Sequence, residues 1–154
     1  MFLVKCYVDF LKDETFWLYL PLVAWIAGIF YLSSNKGSLT NTLPYFITLN
    51  RFLFSPSDAS TLRQYHFIIR KLAHFLGYGI LAVLAAVVFY NSSLPSAARF
   101  WHFCSFAIVL IVASADEFRQ SFYPEREGSL SDVALDCLGG LTMILLFWLF
   151  IASS

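Results

Sequence analysis

Four apolar runs constrain this chain more than any other feature. A helix that crosses the hydrocarbon core of a bilayer needs roughly 20 mostly apolar residues. The segment TFWLYLPLVAWIAGIFYLSS, residues 15–34, meets that length without a single charge. A second run ends at Tyr90 and is apolar from Leu72 onward except for His74. The third begins at Phe100 and meets Asp116, and the fourth runs from Val133 to Ala152 with Asp136 near its start. Inside lipid the backbone must satisfy its own hydrogen bonds, so runs of this kind are expected as helices. The expectation is an all-α, polytopic membrane protein with one domain over residues 1–154. Its four transmembrane helices fall at about 15–34, 68–90, 100–118 and 132–152, with both termini on one side.

Composition points the same way. The chain is 59% hydrophobic and 13% charged, whereas soluble domains are about 45–50% apolar and about 25% charged. Ten Lys and Arg balance ten Asp and Glu, which gives no reason to invoke nucleic acid. The first run is too long for a cleaved signal, and Asp9, Asp13 and Glu14 precede it. Cys6, Cys104 and Cys137 form no CxxC pair, so neither a disulfide framework nor a zinc site follows from them. No metal ligand set is assigned.

The remaining segments read as interfacial. Residues 1–14, MFLVKCYVDFLKDE, alternate apolar and charged residues as a short interfacial helix would. The long connector, residues 35–67, contains LPYFITLNRFLF, too greasy for a free loop and suited to lying on or dipping into the interface. After it, SPSD at 55–58 offers a helix N-cap near Asp58. A helix from there to Tyr90 would measure roughly 50 Å and project beyond the bilayer. Orientation stays open: three basic residues lie on the side of the termini and seven on the other. Setting aside the four that belong to the polar cluster leaves three on each side.

Charge is concentrated where it costs most. Residues 114–132, SADEFRQSFYPEREGSLSD, hold seven of the twenty charged residues. On the second helix His66, Arg70, His74 and Tyr78 recur every four residues and form one stripe, with Lys71 beside it. Asp116 and Gln120 are one turn apart at the end of the third helix, with Glu117 and Arg119 adjacent. Asp132 and Asp136 are one turn apart at the start of the fourth. With four spans, these stripes converge at one membrane face. An ionised side chain at the centre of a membrane helix costs roughly 2.5–3.5 kcal/mol on insertion scales, so such groups need partners. Arg70, Lys71, Arg119 and Arg126 can supply them to Asp116, Glu117, Asp132 and Asp136. Gly139 and Gly140 suit close helix approach, and His102, at the opposite end among apolar neighbours, is set aside.

The residues KLAHFLGYGIL (71–81), ADEFRQSFYPEREGSLSD (115–132) and the following DCLGG resemble the VanZ-like family. Its pattern matches here at Lys71, His74, Phe75 and Tyr78, at Asp116, Glu117 and Gln120, and at Pro124, Arg126, Gly128, Ser129, Asp132 and Gly139. The FYLSS that ends the first run also resembles the family's exit from its first helix. The chain departs from the pattern at Asp136, where members usually carry Asn, and at Gly77, where an acid is common. The resemblance covers roughly residues 20 to 145. The family takes its name from a small membrane protein associated with low-level teicoplanin resistance. The resemblance therefore implies an envelope role in the bacterial cytoplasmic (inner) membrane rather than a particular reaction.

Stripes and motif together give a ligand-binding set of Arg70, Lys71, His74, Tyr78, Asp116, Glu117, Gln120, Arg126, Ser129, Asp132 and Asp136. The expected partners are membrane lipids and a lipid-linked envelope precursor or glycopeptide, with no cofactor specified. One alternative is an intramembrane hydrolase or transferase on a lipid-linked substrate. His74 would be its general base, oriented by Asp116 or Glu117, and Asp116, Asp132 and Asp136 could ligate a divalent cation. The chain has no HExxH and no serine-hydrolase elbow to favour it. The other alternative is a structural scaffold, in which the charges serve only helix packing.

Overall fold

A computed structural model describes residues 16–34, 39–53, 58–123 and 129–153. The proposed interfacial segment 1–14 and the candidates Pro124, Arg126 and Gly128 lie outside the described residues. Every regular element among the described residues is an α-helix. In chain order these are α1 (Phe16–Leu32), α2 (Leu39–Leu53), α3 (Ala59–Tyr90), α4 (Pro95–Arg99), α5 (Trp101–Gln120) and α6 (Leu130–Ser153).

Three of them, α3, α5 and α6, are long and apolar enough to cross a membrane. The expectation of four such spans is met only in part. Helix α1 is apolar but has 17 residues and an internal Pro21, so it rises about 25 Å against a hydrocarbon core of about 30 Å. The outer surface of the bundle carries large apolar side chains such as Trp17, Phe103, Ile111 and Phe150. Exposure on that scale is a liability in water and ordinary against lipid. The chain is a multi-pass membrane protein.

The greasy connector is largely helical. Residues 43–53 of LPYFITLNRFLF fall within α2, which contains Pro44, packs against α3 and leaves Tyr45, Leu49 and Phe52 exposed. Asp58 holds the N-cap position of α3 without capping the backbone, and its carboxylate takes the Ser60 hydroxyl instead. From Ala59 to Tyr90, α3 runs unbroken for 32 residues, about 48 Å.

Helix α3 is the hub and packs against every other helix. Its inner seam is built from Leu81, Ala82, Ala85, Ala86 and Val88, which face Val109, Val112 and Ala113 of α5 and Ile144 of α6. Small residues there let backbones approach, since lipid tails give apolar side chains little reason to associate. The closest approach is at α6. A Cβ on Gly139 would stand 2.2 Å from the carbonyl oxygen of Phe75, and one on Gly140 would stand 2.8 Å from Val109 Cγ1. Paired residues along the α3–α6 seam rise together, from Lys71 with Asp132 through His74 with Asp136 to Gly79 with Met143. The two helices therefore run parallel. Helix α1 runs opposite to α3: Trp25 Nε1 donates to Gly77 O at 2.9 Å, while Ser33 reaches the end of α5. At the far end, Tyr90, Trp101 and Phe147 meet edge to face and close the bundle.

Candidate functional site

The polar residues gather at one end of the bundle, where the second half of α5 and the start of α6 flank the middle of α3. They separate into three groups with different chemistry.

The first group is closed on itself. Asp116 is fully buried, and both of its oxygens are used. Oδ1 accepts from Ser33 Oγ at 2.6 Å and from Arg119 Nη2 at 3.0 Å, and Oδ2 accepts from Gln120 Nε2 at 2.9 Å. Arg119 Nη2 also donates to Phe30 O at 2.7 Å and to Ser33 Oγ at 3.0 Å, and its guanidinium lies 5.2 Å from the Phe30 ring centre. The local cause is helical spacing, which puts Arg119 and Gln120 one turn beyond Asp116. Their contacts with Ser33 and Phe30 fasten the end of α1 to α5. Such a buried, satisfied network rigidifies what it joins.

The second group is a pair. Lys71 Nζ bonds Asp132 Oδ1 across the α3–α6 seam, with both side chains about one-third exposed. Lys71 also lies 5.3 Å from the Phe67 ring centre. Asp132 sits in the first turn of α6, where a negative charge complements the helix dipole. The start of that helix is capped by Ser129, whose Oγ accepts from Ser131 N at 3.2 Å.

The third group is polar and incompletely satisfied. Ser129 N–H donates to Glu117 Oε2 at 2.9 Å, tying the end of α5 to the start of α6. Glu117 Oε1 is buried without a hydrogen-bond partner among the described residues. Both oxygens of Asp136, a side chain 0% exposed, likewise lack a close hydrogen bond among the described residues, and the buried Tyr78 hydroxyl lies near Asp116. His74 Nδ1 lies 3.4 Å from Asp136 Oδ1, a long ion-pair contact. The His74 and Tyr78 rings are near parallel with centres 6.3 Å apart. One ligand atom from each of His74, Glu117 and Asp136 falls within 4.8 Å of the others.

Beside this third group a cleft of about 530 Å³ opens between α1, α2 and α3. Ser33, Thr42, His66, Arg70 and His74 line it, and its wall continues through Leu76, Gly77, Ile80, Trp25 and Gly28. His66 Nε2 lies 3.1 Å from Thr42 Oγ1, which orients the imidazole at the wall.

The sequence-derived candidates thus divide. Arg70, His74 and Tyr78 line the cleft; Glu117 and Asp136 stand behind His74, with one ligand atom of each within 4.8 Å of the others; and Lys71 pairs with Asp132. Asp116 and Gln120 are committed to the α1–α5 network, so the acids beside His74 are Asp136 and Glu117 rather than Asp116. Ser129 acts through its backbone N–H and as a cap. The ligand-binding set drawn from sequence omitted Ser33, Thr42, His66 and Arg119, although Arg119 was expected as a partner for the acids and does pair with Asp116. Ser33 ends FYLSS, a segment already noted, and His66 lies on the same stripe as Arg70; Thr42 carries no signal in the sequence.

Neither the curated proteins nor the solved structures contain a significant match to this chain. A family model described as VanZ/LLP1 matches residues 16–151, nearly the whole chain, and the chain belongs to that family.

Proposed function

We propose that this protein is a four-span protein of the bacterial cytoplasmic membrane that holds an anionic amphiphile in the cleft between α1, α2 and α3. The amphiphile is an envelope lipid, a lipid-linked precursor or a lipoglycopeptide, and holding it contributes to glycopeptide (teicoplanin) resistance. One observation carries the reading: the wall of the cleft changes character along its length. Ser33, Thr42, His66 and Arg70 line one end, and Trp25, Gly28, Gly77 and Ile80 line the other. Arg70 and Ile80 are ten residues apart on one helix, about 15 Å. That is enough to separate a head group from the first stretch of an acyl chain. Guanidinium and imidazole suit phosphate or carboxylate, and the volume lies within the usual 300–1,000 Å³ range of ligand sites. Helix α1 makes the fourth crossing, its short span matched by local thinning of the bilayer.

Mass spectrometry of lipid retained by the detergent-purified protein tests this. Enrichment of one anionic lipid over its share of the host membrane, lost in Arg70→Ala and kept in Arg70→Lys, is the expected result. Retained lipid that mirrors the bulk membrane in all three proteins refutes it. Expression in a susceptible bacterium should raise the inhibitory concentration of teicoplanin, and Arg70→Ala should abolish that rise. A second reading, a hydrolase or transferase acting on a lipid-linked substrate, is favoured by His74, which lines the cleft and has the buried acids Glu117 and Asp136 behind it. Turnover of such a substrate that disappears in His74→Ala would support it, and unchanged turnover would remove His74 from the chemistry.

A further inference from the structure

Helical geometry alone does not bring His74, Glu117 and Asp136 together, because each comes from a different helix. Packing does, and it leaves them in an unusual state. Asp136 is 0% exposed, and neither of its oxygens has a hydrogen-bond partner among the described residues. Glu117 is 5% exposed and directs Oε1 to no partner, although Ser129 N–H holds its other oxygen. Burying a carboxylate without a partner is costly, and native interiors pair such groups or place a cation between them. The nearest group to Asp136 is the imidazole of His74, at 3.4 Å, too long a contact to satisfy both carboxylate oxygens. Three donor atoms lie within 4.8 Å of one another, and two of the three side chains are buried.

We propose that His74, Glu117 and Asp136 bind one divalent transition-metal ion of the zinc class. Imidazole nitrogen together with carboxylate oxygen is a donor set this class accepts, whereas an all-oxygen cage would suit magnesium or calcium. Donors around zinc at about 2.1 Å are about 3.4 Å apart in a tetrahedron; His74 and Asp136 already stand at 3.4 Å, and the widest separation in the trio must close by up to about 1.4 Å. Three protein donors leave a fourth position for water or for an anionic group. His74 also lines the cleft, so the ion stands at the cleft wall. The bond from Ser129 N–H fixes the Glu117 carboxylate in the way outer contacts orient metal ligands. Metal uptake is read without lipid, so this inference and the amphiphile reading stand or fall separately.

The test uses purified full-length protein in detergent, stripped with a chelator and titrated with zinc chloride. Wild type should take up one zinc per chain and gain thermal stability with zinc concentration, as a ligand bound only to the folded state requires. Asp136→Asn and Glu117→Gln should each weaken zinc binding by about 100-fold or more, while Asp58→Asn, at the start of α3, should bind as wild type. Metal-free Asp136→Asn should stay close to metal-free wild type in stability, because the buried carboxylate it removes has only a long contact, His74 at 3.4 Å, to offset its burial. Cobalt substitution of wild type gives a readout that does not depend on the variants folding. Weak visible bands without a thiolate charge-transfer band support the site, and a thiolate band moves the metal to one of the three cysteines, Cys6, Cys104 or Cys137, and overturns it. No zinc uptake by stripped wild type, or unchanged affinity in both Asp136→Asn and Glu117→Gln, also overturns the proposal.

Discussion

Replacing Gly139 with Ala adds a single methyl group at the tightest point of the bundle. Its carbon would stand 2.2 Å from Phe75 O, 2.9 Å from Phe75 C and 3.1 Å from Phe75 Cα. All three are backbone atoms, so no rotamer change can make room. A carbon and a carbonyl oxygen normally stay about 3.3 Å apart, and α3 and α6 must separate locally by roughly 1 Å. Overpacking of this kind costs about 1–3 kcal/mol, and the backbone obstacle places it toward the upper end. The better helix propensity of Ala returns at most about 1 kcal/mol. The net expectation is a loss of about 1–2 kcal/mol. Gly77→Ala is the internal control, since a Cβ there meets nothing within 4 Å. It should be neutral or stabilising by up to about 1 kcal/mol. Thermal unfolding in detergent at one fixed scan rate compares the two, and Gly139→Ala should melt several degrees below wild type. Because Phe75 follows His74, the same separation should pull His74 from Asp136 and weaken metal uptake in parallel. Equal melting temperatures for Gly139→Ala, Gly77→Ala and wild type would refute the claim that this contact sets the α3–α6 distance.

Other substitutions separate structural from binding residues. Asp116→Ala leaves Ser33, Arg119 and Gln120 without their shared acceptor and should cost about 3 kcal/mol, the lower end for a broken buried pair because Arg119 is partly exposed. Retention of wild-type melting temperature by this variant would show that the network does not hold α1 to α5. A double-mutant cycle on Lys71→Ala and Asp132→Ala should return only about 0.2–1 kcal/mol, since both side chains are about one-third exposed; a coupling several-fold larger would contradict that. Trp25→Phe removes the N–H that bonds Gly77 O and should cost about 1 kcal/mol, read again by thermal unfolding; no change in melting temperature would show that the bond contributes nothing.

Much of the architecture was legible in the chain because its causes are local. Apolar length alone located α1, α5 and α6, and fourfold spacing put His66, Arg70, His74 and Tyr78 on one stripe. The double glycine at 139 and 140 was readable as a point of close approach for the same reason, since its effect depends on the missing side chain. The convergence of acids and bases at one end also follows from counting spans. Helix α2 was less legible: an apolar cluster too greasy for a free loop suggested an interfacial segment, and its packing against α3 shows only in three dimensions.

By itself, then, the sequence determined that the chain is a helical membrane protein with one cluster of ionisable groups on three helices at a single end. The tertiary structure decided which acid meets which base. Asp116 and Glu117 are neighbours in sequence, yet one is saturated by Ser33, Arg119 and Gln120 and the other keeps an unpartnered oxygen beside Asp136. Their directions differ by about 100° around α5, so the rotation of that helix sends one toward α1 and the other toward α3 and α6. That rotation, and the register of α6 on α3, are set by contacts such as Gly140 with Val109 and Gly139 with Phe75. Contacts between residues this far apart in the chain exist only once the helices have packed.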